Sequence, residues 1–508
     1  MKSKIYIHLI LLLMTLVIFG SCKKDIGNYN YKELNKLEEV KGLSDGIVAL
    51  FGKAILVKPE IKFSQDPNFN ESNYTYEWSY VGPTGLGGQK IFVLSNTKNL
   101  DMVMTVVAGS YTAYYSVTDK ASGVKYTTNF TLNVVNQINE GWIMMNEANG
   151  KARVDMLSLN SSGNFDLVTD LLATTGSALQ LEGKPVMTYT YNTGLLIGPD
   201  RISYGLYFGT DKGTTKVDPD SFRWTKTMGL TYEMFGDVPS GFYADVIQQR
   251  SGWTSYMIGK GNAYYYDRSY NIYYAAPINY IQAEGKSFEV APFIGGNHAI
   301  VSNAHAIFYD KTNRRFVKHS GQGATCTTIP DPPQNLKLFS FSTGMDLKYM
   351  RWVPYNGGEL FSILKDPNSP KQYLARFNSA NNVQSYYSEI TGAEIANAEF
   401  YAISPEFGYI FYAVGGKVYE YDMVYKTSKL MLDFGSKKVS YLNFYEFKNK
   451  TKYTNDNKLM VGIYDPAVNN GIEGGLRIYT VPGINADLVL YKSFEGFGRI
   501  KSLTYRER

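Results

Sequence analysis

From Gly141 to Arg508 the chain repeats one local pattern, an apolar strand, a tight turn and a second apolar strand. It runs Trp142–Met145 to Val154–Leu159 around Gly150, then Ser203–Phe208 to Thr215–Val217 around Lys212-Gly213. It returns as Ser255–Ile258 to Ala263–Tyr266 around Lys260-Gly261, and as His298–Val301 to Ala306–Tyr309 around Ser302-Asn303. Glu359–Leu364 to Tyr373–Phe377 is the fifth, Tyr409–Val414 to Val418–Tyr421 around Gly415-Gly416 the sixth, and Leu459–Ile463 to Leu476–Val481 the last. Seven hairpins over 368 residues average about 53 residues each, near the ~40–50 per blade of β-propellers. Residues 141–508 are therefore expected to form a propeller of about seven four-stranded blades, whose radial repetition leaves only short, protected edges. Two or three further β-sandwiches are the alternative use of the same strands. Helical periodicity is almost absent, with Ala393–Glu399 the one short candidate.

Residues 37–136 are also strand-like. Tyr74, Tyr76, Trp78 and Tyr80 alternate with Thr75, Glu77 and Ser79, the period of a half-buried strand. Ile91–Leu94, Met102–Val107, Tyr111/Ala113/Tyr115/Val117 and Tyr126/Thr128/Phe130/Leu132/Val134 follow, separated by turn residues. Strands at this spacing predict a small β-sandwich.

The N-terminus carries an export signal. Lys2 and Lys4 precede an apolar run from Ile5 to Phe19, and Gly20-Ser21-Cys22 closes it. The run is shorter than the roughly 20 apolar residues of a membrane span. A cysteine directly after small residues is the pattern of a bacterial lipoprotein signal: cleavage after residue 21 would free Cys22 for fatty acylation, palmitate being a typical chain. Several acyl chains hold a protein on a bilayer where one does not. Residues 22–36 read as a polar tether. Without residues 1–21 the chain has 487 residues and a formal charge of +3, with no basic block to favour nucleic acid. Cys22 and Cys326 are the two cysteines, so no internal disulfide is expected.

Tyr76-Glu77-Trp78, Gly109-Ser110-Tyr111-Thr112 and Val117-Thr118-Asp119 together resemble the strand pattern of PKD domains, which are immunoglobulin-like sandwiches. Val81-Gly82-Pro83 stands where those domains carry a glycine-aspartate-glycine turn. With Cys22, the segment Gly27-Asn28-Tyr29-Asn30-Tyr31 and the long β-rich remainder, the chain resembles PKD-like lipoproteins of Bacteroidota. These accompany SusC/SusD-type outer-membrane uptake systems. The resemblance implies an outer-membrane lipoprotein facing the cell exterior, with transporter components as partners and an oligopeptide or glycan as ligand.

Catalytic signatures are missing: there is no His-Glu-x-x-His, Cys-x-x-Cys or Gly-x-Ser-x-Gly. His298, His305 and His319 fall within 22 residues, but no carboxylate partner stands beside them, so no metal is assigned. No cofactor is expected, and Cys326 reads as an inert buried thiol. Gly82–Lys90 resembles a phosphate loop but puts Gly88 where the lysine belongs, and Asp66–Glu77 has calcium-loop spacing with Glu71 in place of the glycine. Flexible and Asx-rich turns account for both better. Asp267, Asp310 and Asp422 recur after second strands and are expected to cap turns.

Tyrosine is abundant, with 43 residues. Trp224, Trp253, Tyr264, Tyr266 and Trp352 are the candidate ligand contacts, because exposed aromatics mark binding surfaces; packing between blades is the competing role. The function expected is non-catalytic binding on one propeller face. A propeller-type glycan hydrolase and a structural docking subunit are the alternatives. Three acids converging in the central funnel would favour the hydrolase, and a funnel of Tyr, Asn and Thr would count against it.

Overall fold

The computed structural model describes residues 33–508 except 85–87, 136–137, 161, 195–201, 251, 269–272, 298–304 and 455–456. The leader 1–21, Cys22, most of the tether and His298 lie outside the described residues. The fold is all-β, with 51% strand and 5% helix. Among the described residues the one α-helix is Leu171–Thr174. The helix expected at Ala393–Glu399 is only a 3-10 turn, Ile395–Asn397, because Glu394 before it is left-handed at φ +55° and Ala398 after it is already extended at ψ 126°, leaving three residues between them.

The chain divides into two compact units, residues 33–104 with 109–133, and residues 105–108 with 134–508. In the smaller unit one sheet orders Ile47–Leu50, Lys125–Val135, Gly109–Asp119, Tyr74–Pro83 and Gln89–Ser95. Two further ladders pair Leu37–Lys41 with Glu60–Phe63 and Ala54–Val57 with Leu100–Val103. The alternation of Tyr74, Tyr76 and Trp78 faces inward as its period requires, and all three are buried. Trp78 is fully enclosed; its indole N–H donates to the Thr97 carbonyl at 3.0 Å and its ring lies 4.3 Å from that of Tyr115. The run expected from Met102 to Val107 is strand only to Val103, where Met104 N–H turns to the Lys53 carbonyl.

The larger unit holds seven sheets of three or four strands among the described residues. Sheet I orders Phe165–Val168, Lys151–Leu159, Gly141–Ala148 and Arg499–Arg506. Sheet II is Pro185–Asn192, Tyr204–Thr210 and Gly213–Val217; sheet III is Val246–Gln249, Thr254–Gly259 and Asn262–Asp267. Sheet IV is Ala306–Asp310, Arg315–His319 and Thr327–Thr328. Sheet V is Asp346–Val353, Glu359–Lys365, Gln372–Phe377 and Gln384–Glu389. Sheet VI is Phe400–Ile403, Ile410–Val414, Lys417–Asp422 and Thr427–Asp433. Sheet VII is Lys438–Phe444, Lys458–Tyr464, Gly474–Thr480 and Val489–Phe497.

Six of the seven expected hairpins are present as paired strands. The fourth differs. Ala306–Asp310 pairs forward with Arg315–His319 and single bridges from Val290 and Gly295 take its other edge, while residues 298–301 of the expected hairpin lie outside the described residues. Sheets II, III and IV have three described strands instead of the expected four.

Each sheet shares an apolar core with the next. Ile143 and Val154 of sheet I meet Leu206 and Phe208 of sheet II; Tyr207 on the opposite face of sheet II meets Met257 and Tyr264 of sheet III. Tyr256 and Ala263 pack on Phe308 and Val317, Ile307 and Phe316 on Leu360 and Phe377, and Phe361 and Leu374 on Ile410 and Tyr419. Phe411 and Val418 then pack on Leu459 and Val461. Finally Met460 and Leu476 of sheet VII pack on Trp142 and Leu503 of sheet I, so the seventh core returns to the first sheet. Successive side chains of a strand serve opposite cores, which is why the middle strands read as continuous apolar runs. Burying each such Leu, Val or Phe contributes about 1.5–3 kcal/mol.

Candidate ligand-binding cavity

The first strands of sheets II, III, V and VII carry a different kind of residue. Tyr189 and Gln248 on the first strands of sheets II and III, Tyr349 and Arg351 on that of sheet V, and Thr504 on the last strand of sheet I line one cavity of ≈ 280 Å³. Phe293 and Ile294, just before the bridge to sheet IV, complete the wall with Asn443, Tyr445, Glu446 and Lys448 at the end of the first strand of sheet VII. Residues from six sheets or their lead-in segments thus meet around one space.

Two cations face this space. The Arg351 guanidinium donates to Asn443 Oδ1 and, at 2.8 Å, to the Phe444 carbonyl, which fixes it across from sheet V to sheet VII. Burial works against its charge, but the surrounding Tyr349, Glu446 and Tyr441 outweigh that and hold its pKa above the ordinary arginine value. Lys448 donates through Nζ to the Thr190 carbonyl and stands 4.4 Å from the centre of the Tyr189 ring. Burial lowers its pKa to about 7, against the pull of Glu507. Glu446 is the one carboxylate of the lining, and its Oε1 lies 3.7 Å from Lys450 Nζ. Behind the wall, Arg250 is fully buried and donates to the Gly295 and Gly296 carbonyls at 2.9 and 2.5 Å.

The aromatic candidates are not brought together here. Tyr264 and Tyr266 are 1% exposed and pack between sheets II and III, Tyr264 edge-on to Phe242 and Tyr266 donating its hydroxyl to the Thr193 carbonyl. Trp352 is buried in the core of sheets IV and V. Trp224 leans on the core of sheets I and II, its indole N–H donating to Thr215 Oγ1 at 2.8 Å. Trp253 alone is exposed, and it packs beside Gly194 away from the cavity lining. A strand covered on both faces buries its aromatics whichever way they point, so Tyr264, Tyr266 and Trp352 serve packing, and Trp224, outside any strand, is half-buried against a core.

The remaining motifs resolve locally. His319 shares a 2.6 Å hydrogen bond with the Tyr256 hydroxyl, and His305 meets Ser379 Oγ at 3.1 Å. Among the described residues no group of three or more His, Cys, Asp or Glu could hold a metal. The Cys326 thiol is buried, which pushes its pKa up. Asp310 accepts from the Asn313 backbone N–H, and Asp422 from those of Val424 and Tyr425, so both cap turns; Asp267 instead accepts from the Tyr265 hydroxyl at 3.2 Å. Asp66 accepts from Asn70 N–H and the Tyr74 hydroxyl, an Asx-rich turn, while Glu77 pairs with Lys125 from within a strand. Residues 85–87 of the glycine loop lie outside the described residues. Arg351, Lys448 and Glu446 were not among the candidates; the available signal was Arg351, a charge inside the apolar strand run Tyr349–Val353.

Comparison with known proteins places residues 22–185 in a match to a PKD-like family. No curated protein matches the chain in sequence. Among solved structures, a quinonprotein alcohol dehydrogenase-like protein from Bacteroides thetaiotaomicron is 10% identical, with 94% of this chain and 100% of that chain covered and a TM-score of 0.43. The extracellular domain of a hybrid two-component system from B. thetaiotaomicron is 10% identical over 84% of this chain and 61% of that one, with a TM-score of 0.40. A DUF4784 family protein from Bacteroides caccae is 9% identical over 92% and 98%, with a TM-score of 0.32. Similarity at this level says nothing about activity. No helix among the described residues is long and apolar enough to cross a membrane.

Proposed function

We propose that this chain is a lipid-anchored, outward-facing protein of the outer membrane that binds a small ligand without converting it. In this reading residues 141–508 are a seven-bladed β-propeller, supported by seven successive apolar cores of which the last returns to sheet I. The N-terminal sandwich spaces it from Cys22, and a SusC/SusD-type uptake system is its partner. The observation that carries the binding role is the cavity lining: tyrosines, Asn443, Gln248 and Thr504 with two cations and the single carboxylate Glu446. Glycoside hydrolysis takes a pair of carboxylates about 5–9 Å apart, and the lining supplies one. Concave sites with an apolar wall and a few fixed polar groups suit ligand capture.

Two experiments test this. Cys22→Ser should release the protein from envelope fractions into a soluble one; sedimentation that still needs detergent to reverse it overturns the anchor. Affinity recovery of the tagged chain from solubilised envelopes should bring transporter components with it. Their absence removes the uptake partnership, and release of product from oligosaccharides or peptides by the purified chain removes the non-catalytic role.

A further inference from the structure

We infer that the central cavity takes an organic carboxylate, with Arg351 and Lys448 as its counter-charges. This rests on the reading of the cavity as a ligand site and adds the chemistry of the ligand. The hydrogen-bond partners of these cations are neutral oxygens: Asn443 Oδ1 and the Phe444 carbonyl for Arg351, and the Thr190 carbonyl for Lys448. Arg250 behind the wall is likewise bonded to two carbonyls. Buried cations are ordinarily paired with an anion, because burial penalises an uncompensated charge. The one lining carboxylate, Glu446, is shared with Lys450.

With Lys448 protonated, two lining cations against one lining carboxylate leave a surplus of one positive charge, which suits a monoanion better than a phosphate dianion. Arginine carries five N–H donors in a planar fork that fits carboxylate geometry; Asn443, the Phe444 carbonyl and the Tyr349 hydroxyl, all neutral, engage part of Arg351's. Val246, Phe293, Ile294, Met350 and Leu503 give the rest of the wall an apolar surface for the ligand's body. Lys448 is the group whose charge would answer a bound anion. Tyr189, Tyr191, Tyr445, Glu446 and Glu507 are the titratable groups around it, and burial lowers its pKa to about 7 in the free protein, so that part of it is unprotonated there.

The carboxylate could come from an acidic sugar or from a peptide C-terminus. The test is calorimetry on the full chain in detergent with four probes: glucuronate, glucose, N-acetyl-dialanine and its amide. At least one acid should bind tenfold or more tighter than its neutral counterpart, and which acid does so names the source. Binding at pH 8 should take up a proton, read as different heats in buffers of different ionisation enthalpy. Arg351→Met should remove at least tenfold of the affinity for the acid while Arg351→Lys keeps part of it; Lys448→Met should abolish the proton uptake and serves if the arginine variants do not fold. Equal binding of acid and neutral probe overturns the counter-charge role and leaves the binding role standing. Failure of all four to bind overturns both.

Discussion

Glu420 offers a sharp test of how sheets VI and VII are packed. It sits on Lys417–Asp422, opposite Phe411 on one side and Lys429 on the other, and is 2% exposed. Neither carboxylate oxygen has a hydrogen-bond partner. The cross-strand Lys429 turns away, its Nζ lying 2.8 Å from both the Asn485 carbonyl and Asp487 Oδ1. Burial therefore pushes the Glu420 carboxyl from 4.5 up to about 7, with Lys429 opposing and Asp422 adding to the rise. A raised carboxyl pKa favours the protonated form in the folded state. Its contribution to stability is full below about pH 4.5, falls as pH rises towards 7, and is gone above it. At about 1.4 kcal/mol per unit, the loss is about 3 kcal/mol, a large share of the 5–15 kcal/mol typical of a folded protein. His305 runs the other way: burial lowers it from 6.5 to about 4, so its contribution is present above 6.5 and lost as pH falls. The two partly cancel in the wild type, so the informative quantity is the difference from Glu420→Gln, which removes one titration and keeps the shape. Urea unfolding of both proteins from pH 4.5 to 8 should show the variant gaining about 3 kcal/mol on the wild type across that range. A difference that stays constant with pH would refute the reasoning, because the pH-independent cost of a buried amide is all that would remain.

Three further outcomes follow from single contacts. Glu233→Ala strands Lys216, whose Nζ lies 2.7 Å from Glu233 in the core, and removes the acceptor of the Tyr207 hydroxyl; it should cost about 3–5 kcal/mol by denaturant unfolding, with much of that recovered in Lys216→Met/Glu233→Leu. Trp78→Ala should cost about 3–5 kcal/mol in the transition of the smaller unit, with the transition of the larger unit unmoved in calorimetry. Gly358→Ala places a Cβ 2.5 Å from the Trp352 ring at φ +102°, and should lower the melting temperature by the equivalent of about 1–3 kcal/mol.

The middle strands of the sheets were legible because both of their faces are buried and a tight turn joins them. Ile410–Val414 is a continuous apolar run, and beyond Gly415-Gly416 the stretch Val418–Tyr421 is broken only by Glu420, a local signal that needs no tertiary knowledge. The fourth hairpin was misplaced because Ala306–Asp310 is flanked by turn residues on both sides, and local pattern does not say which turn closes the pair. The true turn, Lys311–Arg314, has Arg314 at φ +49°, a conformation that residue type does not announce. The first strands were illegible for a different reason. Asp346–Val353 and Lys438–Phe444 are reached through irregular segments and mix polar with apolar residues, since one part of each looks into the cavity. Aromatic content misled for the same reason that the hairpins were visible: Tyr264 and Trp352 lie in strands covered on both sides, where a ring is packing material.

The pairing of Arg499–Arg506 with Gly141–Ala148 has a consequence for biogenesis. Glu140 and Tyr505, joined at 2.8 Å, are 365 positions apart. A chain made from its N-terminus therefore accumulates sheets that cannot yet be clasped, and sheet I waits for its fourth strand until nearly everything else has been made. Such long-range closure is slow. During that wait the Gly141–Ala148 strand presents an unpaired edge, open to mispairing and to proteases.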